Sequence, residues 1–324
     1  MLSLYNKKDS ILLAGPFPKP LGGVSVHTKR LFHLLDNQGL NVKKFKLNKR
    51  KIPGLQWSLF LVHLAFNRYD VVHLQLFEPL FYKIVLLICK LKKTELILTI
   101  HNPHVSSRIK ENIALLNQTD VIVMVGGHIV DSYNSSGVEL TTEIKVISSY
   151  LPPNNKDEVN ILKTYPTELN AFIKKFDKTI LVSAYKLIIT NEGVDLYGID
   201  KSIELLKELI INNNSIGLII AIADDGYNVE YYSILKERIK QDGLDENVLF
   251  LGGQREIWPL FKSVNLFLRP TVYDGFGISV AEAIDMGCPA IASNVCKRAE
   301  GAIIYDYFNQ KGLYLSSKKV LLEE

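Results

Sequence analysis

Residues 274–283 read DGFGISVAEA. Asp274 is followed by Gly275, Phe276 and Gly277, and a second acid, Glu282, stands eight positions after the first. The run VNLFLRP (264–270) before them has the continuous apolar character of a buried strand, and ISVAEAIDMG, from Ile278, reads as a helix. In an open parallel sheet, ligands sit beyond the carboxyl ends of strands, where loops enter helix N-termini. The spare N–H groups and positive dipole end of such a first turn favour a phosphate. Gly275 and Gly277 let the backbone approach that ligand or take up positive φ. Asp274 is expected to face the ligand cleft. Glu282, just over one turn inside the helix, can accept hydrogen bonds from a diol such as a ribose. Amides for a diphosphate, with carboxylates for hydroxyls on either side, suit a nucleotide-sugar. The same residues also fit a tight strand–helix turn in which Asp274 is a cap and Glu282 a solvated side chain.

The elements that must hold this loop follow a regular alternation. SILLAG (10–15) reads as a buried strand, and GGVSVHTKRLFHLLDNQG (22–39) as a glycine turn opening a helix. Strands follow at 41–47, 69–75, 95–101, 119–125 and 143–150, with an apolar helix around Leu80–Leu91. YLPPNNKDEVN (150–160) interrupts the pattern and marks a domain boundary. Strands resume at 179–185, 215–223, 247–252, 264–270 and 289–295, with helices at about 199–211, 228–240 and 278–287. Strand–helix alternation with Val/Ile/Leu-rich strands implies parallel sheets covered on both faces. The expected organisation is a first domain over 1–152, a linker over 153–178 and a second domain over 179–324, the two doubly wound domains facing each other across a cleft.

Bulk composition agrees with a globular chain: 324 residues, 47% hydrophobic and 22% charged. The net charge of +4 hides an asymmetry. Residues 1–150 carry 19 Lys+Arg against 10 Asp+Glu, or +9, and the remainder 19 against 24, or −5. A basic first half suits a phosphorylated substrate or an anionic membrane surface; a drift in solvated surface charge accounts for it equally well. Three cysteines without paired spacing argue against a disulfide framework or a zinc site. No secretory signal is legible at the N-terminus, and no apolar run is long enough to span a membrane. The protein is expected to be cytoplasmic.

The stretch of an acid, Gly-Phe-Gly, a Glu eight positions on, a small-residue helix and GCPAIAS resembles the signature of the retaining glycosyltransferases of family 4, which have the two-domain GT-B architecture. GPFPKPLGGVSVHTKRL resembles their N-terminal glycine loop and helix; YDVVHLQ and TIHNPH resemble the next strand ends; TDVIVMV with KVISSYLPP resembles the close of their first domain. AIADDGYNVEYYSILKERIKQDGLDENVLFLGG resembles the approach to the signature, so the similarity spans roughly residues 10 to 300.

The resemblance implies roles. Asp274, where the family usually has Glu, would contact the donor sugar, and Glu282 would hold the nucleotide ribose. Gly275, Phe276, Gly277 and Ile278 would lie against the sugar and diphosphate, and Gly22 and Gly23 would close over the diphosphate. His101 would stand near the reacting sugar; His73 reads as structural, and His27 as a residue facing the acceptor. The family's basic pair at the start of the second domain is incomplete. Lys186 can supply the first cation, but Glu192 and Tyr197 precede the two candidate glycines, leaving Lys201 or Arg269 to substitute. The family's closing helix is expected to be absent.

Amides and cations at a helix N-terminus stabilise a departing diphosphate directly, which makes a metal optional. IADDG (222–226) has adjacent acids but resembles a family loop without metal, so no metal and no cofactor is expected. The implied partners are a nucleotide-sugar donor, UDP- or GDP-linked, and a saccharide acceptor, polyprenyl-linked in one version, with no nucleic acid. FEPLFYKIVLLICKLKK (77–93) sets aromatic and aliphatic residues beside Lys83, Lys90, Lys92 and Lys93, which fits contact with the inner face of the cell membrane as well as an ordinary buried helix. A hexosyltransferase of polysaccharide synthesis is the reading this supports. A nucleotide-sugar epimerase and a non-catalytic nucleotide-sugar-binding relative remain as alternatives.

Overall fold

The computed structural model describes residues 4–19, 21–47, 53–102, 105–148, 150–211 and 215–323. Pro20, Pro103, His104 and Ser149 of the motifs above lie outside the described residues. Backbone contacts divide the chain into two units, Met1–Asn154 and Asn155–Glu324.

The first unit runs β1 (Ser10–Gly15), α1 (Gly23–Asn37), β2 (Asn41–Lys46), α2 (Pro53–Phe66), β3 (Val71–Leu74), α3 (Pro79–Lys92), β4 (Glu95–Ile100), α4 (Ser107–Lys110), α5 (Ile113–Leu116), β5 (Val121–Val125), α6 (Gly127–Ser135) and β6 (Glu143–Ile147). Its six strands pair in parallel in the order β2-β1-β3-β4-β5-β6. Successive side chains of a strand point to opposite faces, so each central strand feeds two cores. Leu12, Val72 and Leu98 pack with Trp57 and Phe60 of α2 and Tyr82 and Val85 of α3 on one face. Ile11, Leu13, Val71 and Ile97 meet Leu31 and Leu35 of α1 on the other. Burial on both faces explains why these strands read as unbroken apolar runs. The order reverses between β1 and β3, which makes the carboxyl ends of those two strands the topological switch point.

The second unit runs from a 3₁₀ turn (Asn155–Asp157) through α7 (Glu158–Leu162), α8 (Thr167–Lys175), β7 (Lys178–Lys186), α9 (Ile199–Ile210), β8 (Ile216–Asp224), α10 (Val229–Gln241), β9 (Val248–Gly252), a second 3₁₀ turn (Trp258–Lys262), β10 (Leu266–Arg269), α11 (Ile278–Asp285), β11 (Ala290–Ser293), β12 (Ile303–Tyr305) and α12 (Gln310–Leu322). The strands are again parallel, in the order β12-β11-β10-β7-β8-β9. Renumbered within the unit this is the 3-2-1-4-5-6 order of a dinucleotide-binding sheet. The fold is therefore α/β, with two doubly wound, Rossmann-like units, one per half of the chain.

One stretch differs from the expectation. Residues 153–178 were expected as a linker; they contain α7 and α8, whose Ile161 and Leu169 are buried in the second unit's core. Both helices are under ten residues, too short for a convincing apolar period in the sequence. Residues 310–322 form α12, which packs on α9 with Leu313 and Leu321 in the same unit's other core.

Candidate functional site

In the second unit the strand order reverses between β7 and β10, so their carboxyl ends form the switch point; Arg269 closes β10 one residue past the Leu268–Val182 pair, and β7 runs on to Lys186. The loop leaving β7 ends at Gly198, with φ +66°, and a β-carbon there would collide with the Pro270 carbonyl oxygen. This glycine is needed for close approach of the α9 entry to the end of β10. Asp195, 2% exposed, fixes the same turn by accepting hydrogen bonds from the amides of Tyr197 (2.9 Å) and Ile199 (3.0 Å) and from the Tyr231 hydroxyl (2.9 Å).

The loop leaving β10 carries the signature residues. Gly277 caps α11 in the left-handed conformation, φ +74°, and a β-carbon on it would meet Arg298 Nη1 at 2.5 Å. Gly275 is different: nothing in the chain lies within 4 Å of where its β-carbon would be. Ile278, half-buried, begins the helix, and Phe276 is likewise half-buried. Glu282 lies one turn in and is 8% exposed, so it is not a solvated side chain.

Asp274 is not a free carboxylate. Its Oδ2 accepts from Arg269 Nε at 2.9 Å and from Arg298 Nη1 at 2.7 Å, and Oδ1 accepts from the Gly275 amide at 3.0 Å. Burial alone would raise its pKa; the Arg269 and Arg298 guanidiniums outweigh it and hold the carboxyl below its ordinary value. Arg298 is spent on the same corner: Nε donates to the Ser293 carbonyl (3.1 Å), and Nη2 to Thr271 Oγ1 (3.0 Å) and Ser293 Oγ (3.1 Å). Arg269 also donates to the Ser183 carbonyl (3.1 Å), and its guanidinium carbon lies 5.1 Å from the centre of the Tyr197 ring. Two guanidiniums against one carboxylate leave this corner with one net positive charge.

The remaining cations are placed as follows. Lys186 Nζ stands 3.7 Å from the centre of the Tyr227 ring. Lys201 Nζ donates to the Tyr307 carbonyl at 3.0 Å and covers that ring at 3.8 Å, and burial lowers its pKa. Lys201 is therefore tied to Tyr307, while Arg269 sits over the tyrosine that occupies position 197.

In the first unit the candidate residues also gather at the carboxyl edge of the sheet. Gly22 is extended and caps α1, its amide donating to Ser25 Oγ at 3.0 Å; a β-carbon on Gly23 would meet nothing within 4 Å. Gly15, at the end of β1, has no such room, because a β-carbon would stand 2.6 Å from Gln75 Cβ. His101 Nε2 donates to Gln75 Oε1 at 2.9 Å. Burial, then His27 and His73, push the His101 pKa well below its ordinary value, so the ring is neutral. His73 is fully buried, 2.6 Å from both the Tyr5 hydroxyl and Thr99 Oγ1, with a pKa lowered to about 3 by burial and by His27. His27 does not face outward to an acceptor: it is 3% exposed and packs edge-on against His101, ring centres 4.9 Å apart.

The sequence reading missed Arg298 and Gln75. Both follow strands, in the loops after β11 and β3, so a search of every strand's carboxyl end for polar residues would have found them. Among the described residues, no cluster of His, Cys, Asp and Glu could hold a metal ion, and no helix is long and apolar enough to cross a membrane.

Comparison with known proteins points to the same unit. The family described as "Glycosyl transferases group 1" matches residues 171–312. A lipopolysaccharide core biosynthesis mannosyltransferase of Rhizobium meliloti is 27% identical over 146 residues, 43% of this chain and 42% of that protein. A lipopolysaccharide glucosyltransferase of Escherichia coli is 28% identical over 133 residues, 39% of this chain and 34% of that one. The chain thus matches less than half the length of these two curated relatives. Among solved structures, Anabaena HepE in complex with UDP and glucose superposes with TM-score 0.63 at 14% identity, covering 97% of this chain and 92% of that one. The sucrose-phosphate synthase of Thermosynechococcus elongatus gives TM-score 0.63 at 15% identity, covering 96% and 89%. These superpositions assign the fold, GT-B.

Proposed function

We propose that the chain is a glycosyltransferase that moves a hexose from a nucleoside-diphosphate sugar to a saccharide acceptor in cell-surface polysaccharide synthesis, with retention at the anomeric carbon. The observation that carries this is the corner where β10 meets α11. There the amides at the start of an eight-residue helix, a net positive charge from Arg269 and Arg298 around Asp274, and the buried Glu282 one turn on are held together at the switch point of a dinucleotide-type sheet. The family match over residues 171–312 and the two lipopolysaccharide glycosyltransferase relatives support the same assignment.

In this reading the diphosphate lies against the α11 N-terminus, with Gly275 leaving room for it and Arg269 supplying the cation missing at residue 197. Glu282 accepts hydrogen bonds from the ribose. Asp274 orients the loop through its two arginines and presents it to the donor sugar. As the sugar–phosphate bond breaks, negative charge builds on the leaving oxygen, and preorganised amides and guanidinium stabilise it without rearrangement. The departing phosphate oxygen takes the acceptor's proton, so no residue of the chain acts as nucleophile. The first unit takes the acceptor, a lipid-linked saccharide, and its neutral His101 donates or accepts a hydrogen bond at the reacting sugar.

Thermal unfolding with UDP-, GDP- and ADP-sugars tests the donor. One nucleotide class should raise the midpoint, and release of the free diphosphate should require acceptor. Glu282→Gln should abolish the shift while leaving the unliganded midpoint within a few degrees. No shift with any nucleotide-sugar, or an unchanged shift in Glu282→Gln, would overturn the assignment.

A further inference from the structure

Helices α2 and α3 cover the same face of the first sheet, burying Trp57, Phe60, Tyr82 and Val85 against it. They run side by side in the same direction. Trp57 stacks on Phe81 near their starts, with ring centres 5.4 Å apart, and Lys92 Nζ reaches the carbonyls of Leu64 and Asn67 near their ends, at 2.7 and 2.8 Å. Their outward faces are apolar instead of polar. On α2, Leu55, Leu59, Val62 and Phe66 follow one another at i, i+4, i+7, i+11, each more than half exposed and Phe66 86% exposed. On α3, Leu80, Ile84, Leu87 and Leu91 repeat that spacing, with Leu91 77% exposed. Two parallel stripes, each about 17 Å long at 1.5 Å per residue, thus lie side by side on one surface.

Charge carried by the two helices has one sign. α2 holds no Asp, Glu, Lys or Arg, and α3 holds only lysines. Lys83 and Lys90 are exposed and lie together along one edge of the α3 stripe, while Arg68 and Lys93 follow the two helix ends. Of the acids nearest in sequence, Asp70 accepts from the Ser10 amide and hydroxyl, Glu78 pairs with Arg108 at 3.0 Å, and exposed Glu95 begins β4 at the amino edge of the sheet, near Asp9, Asp120 and Glu143. A contiguous apolar surface rimmed by polar groups marks an interaction site. A second copy of the chain would set lysine rim against lysine rim. A bilayer with anionic headgroups offers apolar depth and negative charge together.

We propose that the outer faces of α2 and α3 form a docking surface for an anionic lipid bilayer, with Phe66, Leu87 and Leu91 entering the headgroup–acyl boundary and Lys83 and Lys90 meeting lipid phosphates. This inference stands apart from the sugar-transfer reading, since it needs no donor and no acceptor.

Flotation of the full chain with vesicles tests it. The chain should float with phosphatidylcholine vesicles containing phosphatidylglycerol, and bound fraction should fall several-fold between 50 and 500 mM salt. It should float weakly with phosphatidylcholine alone. Phe66→Asp/Leu87→Asp should cut the bound fraction at least tenfold, and Lys83→Glu/Lys90→Glu should cut it while abolishing the preference for anionic lipid. All four positions are exposed, so circular dichroism and unfolding midpoints should match the parent. Failure of the parent chain to float, equal flotation of parent and variants, or a dimer in solution that Phe66→Asp/Leu87→Asp dissolves would overturn the proposal. A chain that floats but shows no nucleotide-sugar shift would refute the transferase reading alone.

Discussion

Arg298 Nη1 occupies the space that a side chain at Gly277 would need, 2.5 Å from where its β-carbon would stand. The helix cap and the ion cluster beneath it are therefore one packed object, and changes to either are felt by both.

Gly277→Ala should be costly, since it adds a β-carbon at φ +74° and displaces a buried guanidinium. A loss of about 1–3 kcal/mol is expected from the backbone conformation alone, together with loss of donor binding. Gly275→Ala should change stability by less than about 0.5 kcal/mol, because the position is open and behaves as a surface site. Urea unfolding of both variants checks this. If Gly275→Ala keeps its stability yet loses the nucleotide-induced shift, the added methyl has met the ligand.

Arg298→Met should destabilise the second unit by about 3 kcal/mol, the low end for breaking a buried ion pair, because Arg269 still partners Asp274. Arg298→Lys should recover only part of that loss. A lysine cannot reach Ser293, Thr271 and Asp274 together, whereas the guanidinium fork does. Denaturant midpoints for the two variants are the measurement.

Acid should act on the two units through different groups. Asp274 has a lowered folded pKa, so its contribution is present above the unfolded carboxylate value near 4 and is lost as pH falls through the folded one. Asp274→Asn should flatten that part of the profile. His73 is lowered to about 3, so its neutral form is the folded one. Stability is full above about pH 6.5 and declines as pH drops toward 3, by on the order of 1 kcal/mol per pH unit. Unfolding midpoints at pH 7, 6 and 5 should show the slope in the parent and a shallower one in His73→Asn.

Gln75→Glu should make His101 titrate. The change keeps an acceptor oxygen at the 2.9 Å contact and adds a negative charge, which pulls the imidazole pKa up from its depressed value. Turnover in the parent should show no step at the ordinary histidine value near pH 6.5; in the variant the His101 step should move up toward it, with Gln75→Leu losing activity without that move.

The strands were legible because a strand covered on both faces is almost wholly apolar, as ILLAG and VIVMV are, with buried His73 the exception in VVHL. Three-residue β12 carries no such signal, and α2 escaped notice because its outer face is as apolar as its inner one. The signature loop was visible from its glycines, but the setting of Asp274 was not. Its partner Arg298 lies 24 residues on in the chain, and only the parallel pairing of β10 with β11 brings the two loops together. Likewise the neutral state of His101 comes from its burial and from His27 and His73, which no spacing rule connects.

The pairing of β7 with β10 has a consequence for how the protein comes into being. Ile180 lies beside Leu266, and all of β8 and β9 intervenes along the chain. During synthesis the first two-thirds of the second unit emerges with the outer edge of β7 uncovered, an apolar template open to wrong partners. Non-local closure of this kind is slow. Arg298 comes later still, so the corner assigned to the donor is among the last parts of the chain to mature.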